Sequence, residues 1–474
     1  MLNWQQYIET FATRGLHPLV GEKVRESPAP QAHQWFTDSR QPISGGWFVP
    51  LKGESFDGHG FLSQVMDLPD CGGALCAHAY VSQLPLEFQQ RCIAVQDPLC
   101  AYQAVAGLVR QTDAEALRLI ALTGSVGKTT TKEMIRSILS VSHGEQYVLA
   151  TEKNYNNDIG VAHLLLSRRE QHSVGVVEMG ARHVGDIARL VKFVCPQVAM
   201  VLNARDAHLE IFGTLENLRN TKAEILGEYS SASHCVVPAA DPFLVEKAVL
   251  SGKKMLTFGA VEGADVFTSH LYADPNKHCI RFDLECAQGA AQVCLQTLNH
   301  AFVDNAAAAA AACLALGISL DRIVQGLERF QPLSGRFNIR ELQGLTLVDD
   351  CYNANALSMI AGLSSLRLSY PGKKLALFLG SMGELGDLSE EKHKEVGKYV
   401  ATRVHPEVLV AVGEEAAWIA EAALAQGMTH EQVIHVSTTE EAQDIFAHLS
   451  SRVEVAFFKA SRFIQLERVF RSFV

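Results

Sequence analysis

Short, mostly apolar runs recur along most of this chain, each followed by a polar turn and an amphipathic stretch. Leu117–Leu122, Ser173–Met179 and Val198–Leu202 form one series. Leu345–Val348, Lys374–Leu379, Val408–Val412 and Val453–Phe458 form a second, with helical stretches such as Glu390–Thr402 between them. Continuous apolar runs of this length are those of strands buried on both faces, so each series predicts a doubly wound α/β sheet. The first hundred or so residues differ: strand-like pieces such as Gly46–Leu51 alternate with turns, giving a small mixed α/β region. The reading is three α/β domains, at residues 1–108, 109–332 and 333–474, with hinges expected near 108 and 333. A helix expected to open at Asn305 carries seven consecutive alanines, Ala306–Ala312, whose small side chains allow close packing on a sheet. Neither repeats nor low-complexity tails interrupt the pattern.

A length of 474 residues suits about three cores of ~150 residues. The formal charge of −11 argues against a nucleic-acid partner, so any anionic ligand needs locally concentrated positive charge. Eleven scattered cysteines without a C-x-x-C pair read as reduced thiols of a cytoplasmic protein. No basic segment leads into an apolar stretch at the N-terminus, and no apolar run reaches membrane-spanning length, so membrane insertion is not expected.

The first series opens with the strongest chemical signal. An apolar strand runs into Thr123-Gly-Ser-Val-Gly-Lys-Thr-Thr130 and then into an amphipathic helix. This is a phosphate cradle for ATP, in the shorter form G-x-x-G-K-T because Leu122 stands at the usual first glycine. Gly124 and Gly127 permit the tight turn, and the amides of Ser125, Val126, Lys128, Thr129 and Thr130 surround the phosphates at a helix N-terminus. Lys128 supplies charge to the β/γ-phosphates and Thr129 a hydroxyl to Mg²⁺. Downstream, polar residues recur at apparent strand ends: the segment Thr151–Gly160 with Asn156 and Asn157, then Glu178, then Asn203–Gly213 with His208, and Lys222 fourteen residues later. Singly, a strand-end glutamate is more often a solvated carboxylate or helix cap, and a lone histidine or lysine usually lies at the surface. Ordered behind a phosphate loop, Glu178 becomes a candidate oxygen ligand for a hard cation.

These motifs resemble those of the Mur ligase family, the ATP-dependent amino-acid and peptide ligases of peptidoglycan synthesis, over nearly the whole chain. The resemblance rests on Asp38-Ser39-Arg40, Trp47–Gly53, Asp57-Gly58-His59, the phosphate loop, Asn154–Gly160, Glu178-Met-Gly180 and Ala207–Gly213. It continues through Ser334-Gly-Arg336, Asp349-Asp-Cys-Tyr-Asn-Ala-Asn355 and Met382-Gly-Glu-Leu-Gly386 with His393. Tyr-Asn-Ala-Asn and Met-x-Glu-Leu-Gly are similar to the member that adds D-alanyl-D-alanine to UDP-N-acetylmuramoyl-tripeptide. The Asp-Asn-Pro-Arg expected of the diaminopimelate-adding relative is absent.

The resemblance implies ATP as cosubstrate and two Mg²⁺ ions, held by Thr129, Glu178, His208 and Lys222, with Lys222 converted by CO₂ into a carbamate ligand. It implies Asn305, Arg336 and Asp350 around the nucleotide, and Ser39 and Arg40 at the uridine-diphosphate end. Asn156, Asn157, Asn353 and Asn355 are the remaining substrate contacts it implies, in a monomeric enzyme. Three segments depart from the family pattern: Leu298–Ala306 lacks the glycine of G-x-H-N-x-x-N-A and is one residue longer, Ser381 replaces an aspartate, and Lys459-Ala-Ser-Arg462 replaces Lys-Gly-Ser-Arg. Two alternatives stay open here: an amide ligase of Mur or folylpolyglutamate type with another acceptor, and a phosphate-loop ATPase acting as a switch.

Overall fold

The computed structural model describes residues 2–53, 56–112, 115–205, 212–342 and 344–473. Three sheets follow one another along the chain. The first has five short strands in the order Leu19–Val20, Cys92–Val95, Gly73–Ala77, Trp47–Phe48 and Trp35–Phe36, parallel except for the first pair. The helix Trp4–Thr13 opens with a capping box between Asn3 and Gln6. It buries Trp4 and Tyr7 against Trp35 and Trp47 in an aromatic cluster.

Nine strands make the central sheet, in the order Gly289–Leu295, Cys279–Cys286, Val266–Asp274, Lys254–Gly259, His234–Pro238, Val198–Val201, Arg118–Thr123, Val174–Glu178 and Val148–Ala150. The pairs from Val266–Asp274 to Val148–Ala150 are parallel, whereas Cys279–Cys286 pairs antiparallel with both Val266–Asp274 and Gly289–Leu295, with which it forms a hairpin. The doubly wound sheet expected here is therefore a mixed one. The hairpin strands are buried on one face only, so they lack the continuous apolar runs that mark the other strands. The alanine-rich helix spans Ala301–Ala315, four residues earlier than expected, because Asn299 Oδ1 accepts the Ala301 N–H and closes the first turn. All seven alanines are fully buried between the sheet and the helix Lys128–His143.

In the third sheet the order is Asn338–Leu342, Leu345–Asp349, Val455–Lys459, Leu375–Gly380, Val408–Val412 and Val433–Val436, parallel except for the first pair. Residues 330–337 connect it to the central domain outside any helix or strand. Residue 108, by contrast, lies inside the helix Pro98–Thr112, which packs on the helices Asp158–Leu166 and Asp186–Val194. Arg110 fastens it there: buried, it donates to the carbonyls of Val194 and Cys195, at 2.8 Å each. The hinge expected near 108 is thus the interior of a helix bolted to the central domain. No helix among the described residues is long and apolar enough to cross a membrane.

Candidate active site

The strand Arg118–Thr123 lies between Val174–Glu178 and Val198–Val201, so everything beyond its carboxyl end is flanked by the ends of two neighbours. From it the chain turns through Gly124–Gly127 into the helix Lys128–His143. Gly127 adopts φ +85°, and a Cβ there would stand 2.5 Å from Asn305 Oδ1, so only glycine admits both the turn and the asparagine above it. Asn203, just past Val198–Val201, grips the loop. Its Oδ1 accepts the N–H groups of Ser125 (3.0 Å) and Val126 (3.1 Å), and its Nδ2 donates to the Val126 carbonyl. Those two amides are thus engaged, and the N–H groups at the start of the helix remain to meet phosphate. Lys128 Nζ folds back on the carbonyls of Gly124 (2.7 Å) and Ser125 (3.2 Å). Burial lowers its pKa, opposed by Glu178 and reinforced by Arg336.

Glu178 stands in register with Leu122, one strand across from the loop. It is 1 % exposed. Oε1 accepts from Asn156 Nδ2 at 2.7 Å, whereas Oε2 is buried with no hydrogen-bond partner. Its backbone N–H donates to Thr151 Oγ1, and the Thr151 carbonyl accepts from buried Lys132 Nζ, so the strand end is held rigidly. An orphaned carboxylate oxygen one strand from the phosphate loop is a hard-oxygen donor of the kind Mg²⁺ takes, and the Thr129 hydroxyl is another. Lys222, on the helix Leu215–Ala223, is 4 % exposed, over the Phe212 ring. Burial, with Lys128 adding repulsion, pushes its pKa down to about 7. Among the described residues no three His, Cys, Asp or Glu side chains converge as a metal site; His208 lies outside those residues.

A cleft of about 790 Å³ separates the loop from the third domain. Residues 125–130, Asn203, Asn305, Arg336, Asp350, Asn353 and Asn355 all line it. Arg336 faces the loop from the far wall, its guanidinium 4.2 Å from the Tyr352 ring centroid. Asp350 is buried, which raises its pKa, and Lys459 Nζ opposes that shift with an ion pair at 2.6 Å. Lys459 also donates to the Asn353 carbonyl. The side-chain oxygens of Asn157 and Asn355 accept from Gly160 and Ser358 N–H as helix N-caps, leaving their Nδ2 groups for other partners. Ser39 and the exposed Arg40 lie in the first domain, outside this cleft, with Arg40 held by both oxygens of Asp38. Two motif histidines are structural locks. His59 joins Asp57 to the Ala77 N–H, and His393 accepts the Met382 N–H. The sequence placed Asn203 and Lys459 at the carboxyl ends of apolar runs but gave neither a role of its own.

A phosphate loop, a buried carboxylate with an orphaned oxygen and an arginine facing the loop across a cleft are the parts of an ATP-using enzyme. Residues 122–313 match the Mur ligase middle domain, and residues 335–462 match the Mur ligase, glutamate ligase domain. The chain is 35 % identical to the UDP-N-acetylmuramoyl-tripeptide--D-alanyl-D-alanine ligase of Escherichia coli (strain K12), over 76 % of this chain and 77 % of that one. It is 30 % identical to the ligase of the same name from Bacillus subtilis (strain 168), over 93 % of each chain. Among solved structures, MurF from Acinetobacter baumannii superimposes with a TM-score of 0.85 at 34 % identity, covering 99 % of this chain and 98 % of the other. The MurF ligase from Thermotoga maritima in complex with ADP gives 0.80 at 29 % identity, covering 93 % and 97 %. The chain belongs to the Mur ligase family of ATP-dependent amide ligases.

Proposed function

We propose that this enzyme joins D-alanyl-D-alanine to UDP-N-acetylmuramoyl-tripeptide at the expense of ATP, in the cytoplasm and as a monomer, during peptidoglycan precursor synthesis. The observation that carries the reading is the cleft itself, in which Arg336 and Asn353 of the third domain face the phosphate loop of the second. The relatives of that name support the choice of acceptor.

In this reading a carboxylate oxygen of the tripeptide attacks the γ-phosphorus, the bond to ADP breaks, and an acyl phosphate forms. The dipeptide's free amine then attacks the acyl carbon, the carbon–oxygen bond to phosphate breaks, and the amine proton goes to solvent. Lys128 leaves the loop carbonyls for the β/γ-phosphates, and Arg336 offsets charge from the opposite wall. Asn305 and Asp350 meet the nucleoside, while Ser39 and Arg40 take the uridine-diphosphate end. Asn156, Asn157, Asn353 and Asn355 position the peptide portions through their amide donors. Bound Mg²⁺, held by Thr129, Glu178, His208 and modified Lys222, supplies neutralisation of the transferring phosphoryl group. With a pKa near 7, Lys222 presents a neutral amine in the physiological range. That amine adds to the carbon of CO₂ and releases a proton, and the resulting carbamate is an oxygen ligand where an ammonium could not be one. Both reactants are sheltered from water by the facing domains, which protects an acyl phosphate from hydrolysis.

The test is ADP release by the purified enzyme with ATP, Mg²⁺ and the UDP-tripeptide, with and without D-alanyl-D-alanine. Sustained release requiring both partners, with a product heavier by the dipeptide, is expected. Release indifferent to both would move the reading to a simple ATPase. Turnover with a different amine acceptor alone would keep the ligase and change its substrate.

A further inference from the structure

The hairpin that extends the central sheet carries two cysteines with no place in the ligation chemistry. Cys279 opens one strand and Cys294 lies near the end of the next. The register pairs Arg281 with Cys294 and Ile280 with Leu295, which puts Cys279 one diagonal step from Cys294. Side chains two apart on a strand share a face, so Cys279 and Arg281 emerge on the same side as Cys294. Their Sγ atoms stand 3.2 Å apart. A disulfide is ~2.05 Å long, so closing the bond needs a sulfur displacement of about 1 Å, at a strand end where the backbone can give.

The two thiols are not equivalent. Cys279 is 1 % exposed, whereas Cys294 is half-buried and reachable. Arg281 stands directly across the strand pair from Cys294 and two residues from Cys279, a cation on the face that carries both thiols. Gln296 Nε2 lies 3.9 Å from Cys294 Sγ, as a donor to charge on sulfur. Burial and the neighbouring sulfur raise the Cys279 thiol to about 11, which keeps it protonated until a partner sulfur is activated.

We infer that Cys279 and Cys294 form an oxidisable dithiol, converted to a disulfide by hydroperoxides. The Cys294 thiolate attacks a peroxide oxygen, the O–O bond breaks, and sulfenic acid and water (or an alcohol) result. Cys279 sulfur then attacks the Cys294 sulfur, its proton leaves with the departing hydroxide as a second water, and the S–S bond forms. Two thiols are oxidised by two electrons and one peroxide is reduced. Stapling acts where the third domain seats: His278 Nε2, beside Cys279, meets Glu341 Oε1 of the strand Asn338–Leu342 at 3.3 Å. On the other side, Cys294 N–H donates to Glu328 in the helix Leu320–Arg329, whose Gly326 carbonyl accepts from Ser137 of the phosphate-loop helix.

The full-length protein, treated with hydrogen peroxide and then alkylated and digested, tests this. The intact mass is expected to fall by about 2 Da with two fewer alkylated thiols, and the digest to yield the Cys279–Cys294 peptide pair. Hydrogen exchange across residues 279–295 is expected to slow, and the unfolding midpoint to rise by several degrees. Cys294→Ser should remove all three changes, and Cys279→Ala should leave Cys294 to gain oxygen instead. Oxygen added to Cys294 of the unsubstituted protein while Cys279 stays alkylatable, or a disulfide between other cysteines in place of this pair, would overturn the inference.

Discussion

Two buried lysines, one in the third domain and one in the central domain, meet opposite electrostatic fates. Lys459, at a strand end of the third domain, is 2 % exposed and neutralised by Asp350 at 2.6 Å. Lys222, in the central domain, is 4 % exposed, and burial with repulsion from Lys128 outweighs the attraction of Asp186 and Glu224, with neither of which it forms an ion pair. Glu178, in the same domain, has one oxygen bound to Asn156 and the other without a hydrogen-bond partner, and it meets buried Lys128 through its field alone. Isolated buried charges are costly, so folding alone gives no reason to keep them. The third domain therefore balances its charge internally and serves as a wall. The central domain keeps an open account that a cation and a modified lysine would close.

Substitutions can sharpen or break this contrast. Glu178→Gln leaves the hydrogen bond to Asn156 available but removes the charge, and turnover is expected to fall on the order of 10³-fold with an unfolding midpoint that holds or rises. A large loss of stability instead would make Glu178 a structural residue like Asp350. Lys459→Met is expected to do the reverse, stranding Asp350 and costing about 3 kcal/mol in chemical denaturation. The double variant with Asp350→Asn should recover much of that loss.

The Lys222 account has a definite pH signature in metal-free, CO₂-depleted protein. Its folded pKa of about 7 lies below the unfolded value of ~10.4, so the unfolded state binds more protons between them. Stability therefore rises with pH through that window, by about 2 kcal/mol between pH 7 and 9, and Lys222→Met should flatten the slope by that amount. An unchanged slope would show that Lys222 is already paired. The smallest effect is expected at the loop. Asn203→Ala removes the acceptor of two loop amides and should weaken ATP binding about tenfold by calorimetry, with little change in global stability.

What the chain disclosed in advance divides along the same physical line. Positions at a strand end and its loop were legible: the turn from the strand ending at Thr123 into the helix opening at Lys128, Glu178 just past Val174–Val177, and a strand at Val408–Val412 with those same bounds. Roles that depend on distant partners were not. Lys459 meets Asp350 across 109 positions, and Asn203 meets the loop across 77 or 78. Asn157 and Asn355 read as polar contacts, but their oxygens cap helices, which local spacing could have shown. The altered Leu298–Ala306 segment becomes intelligible only in three dimensions. His300 N–H donates to Ser365 Oγ, that hydroxyl donates to Asn299, and Ser369 donates to the Leu298 carbonyl, so the segment seats the third domain.

The most direct test of the account follows an oxygen atom. UDP-N-acetylmuramoyl-tripeptide labelled with ¹⁸O in its terminal carboxylate should, on ligation to D-alanyl-D-alanine, deliver one labelled oxygen to the released phosphate, because that oxygen bridges carbon and phosphorus in the acyl phosphate. Phosphate carrying no label, with the ligated product still formed, would contradict carboxylate activation at this cleft.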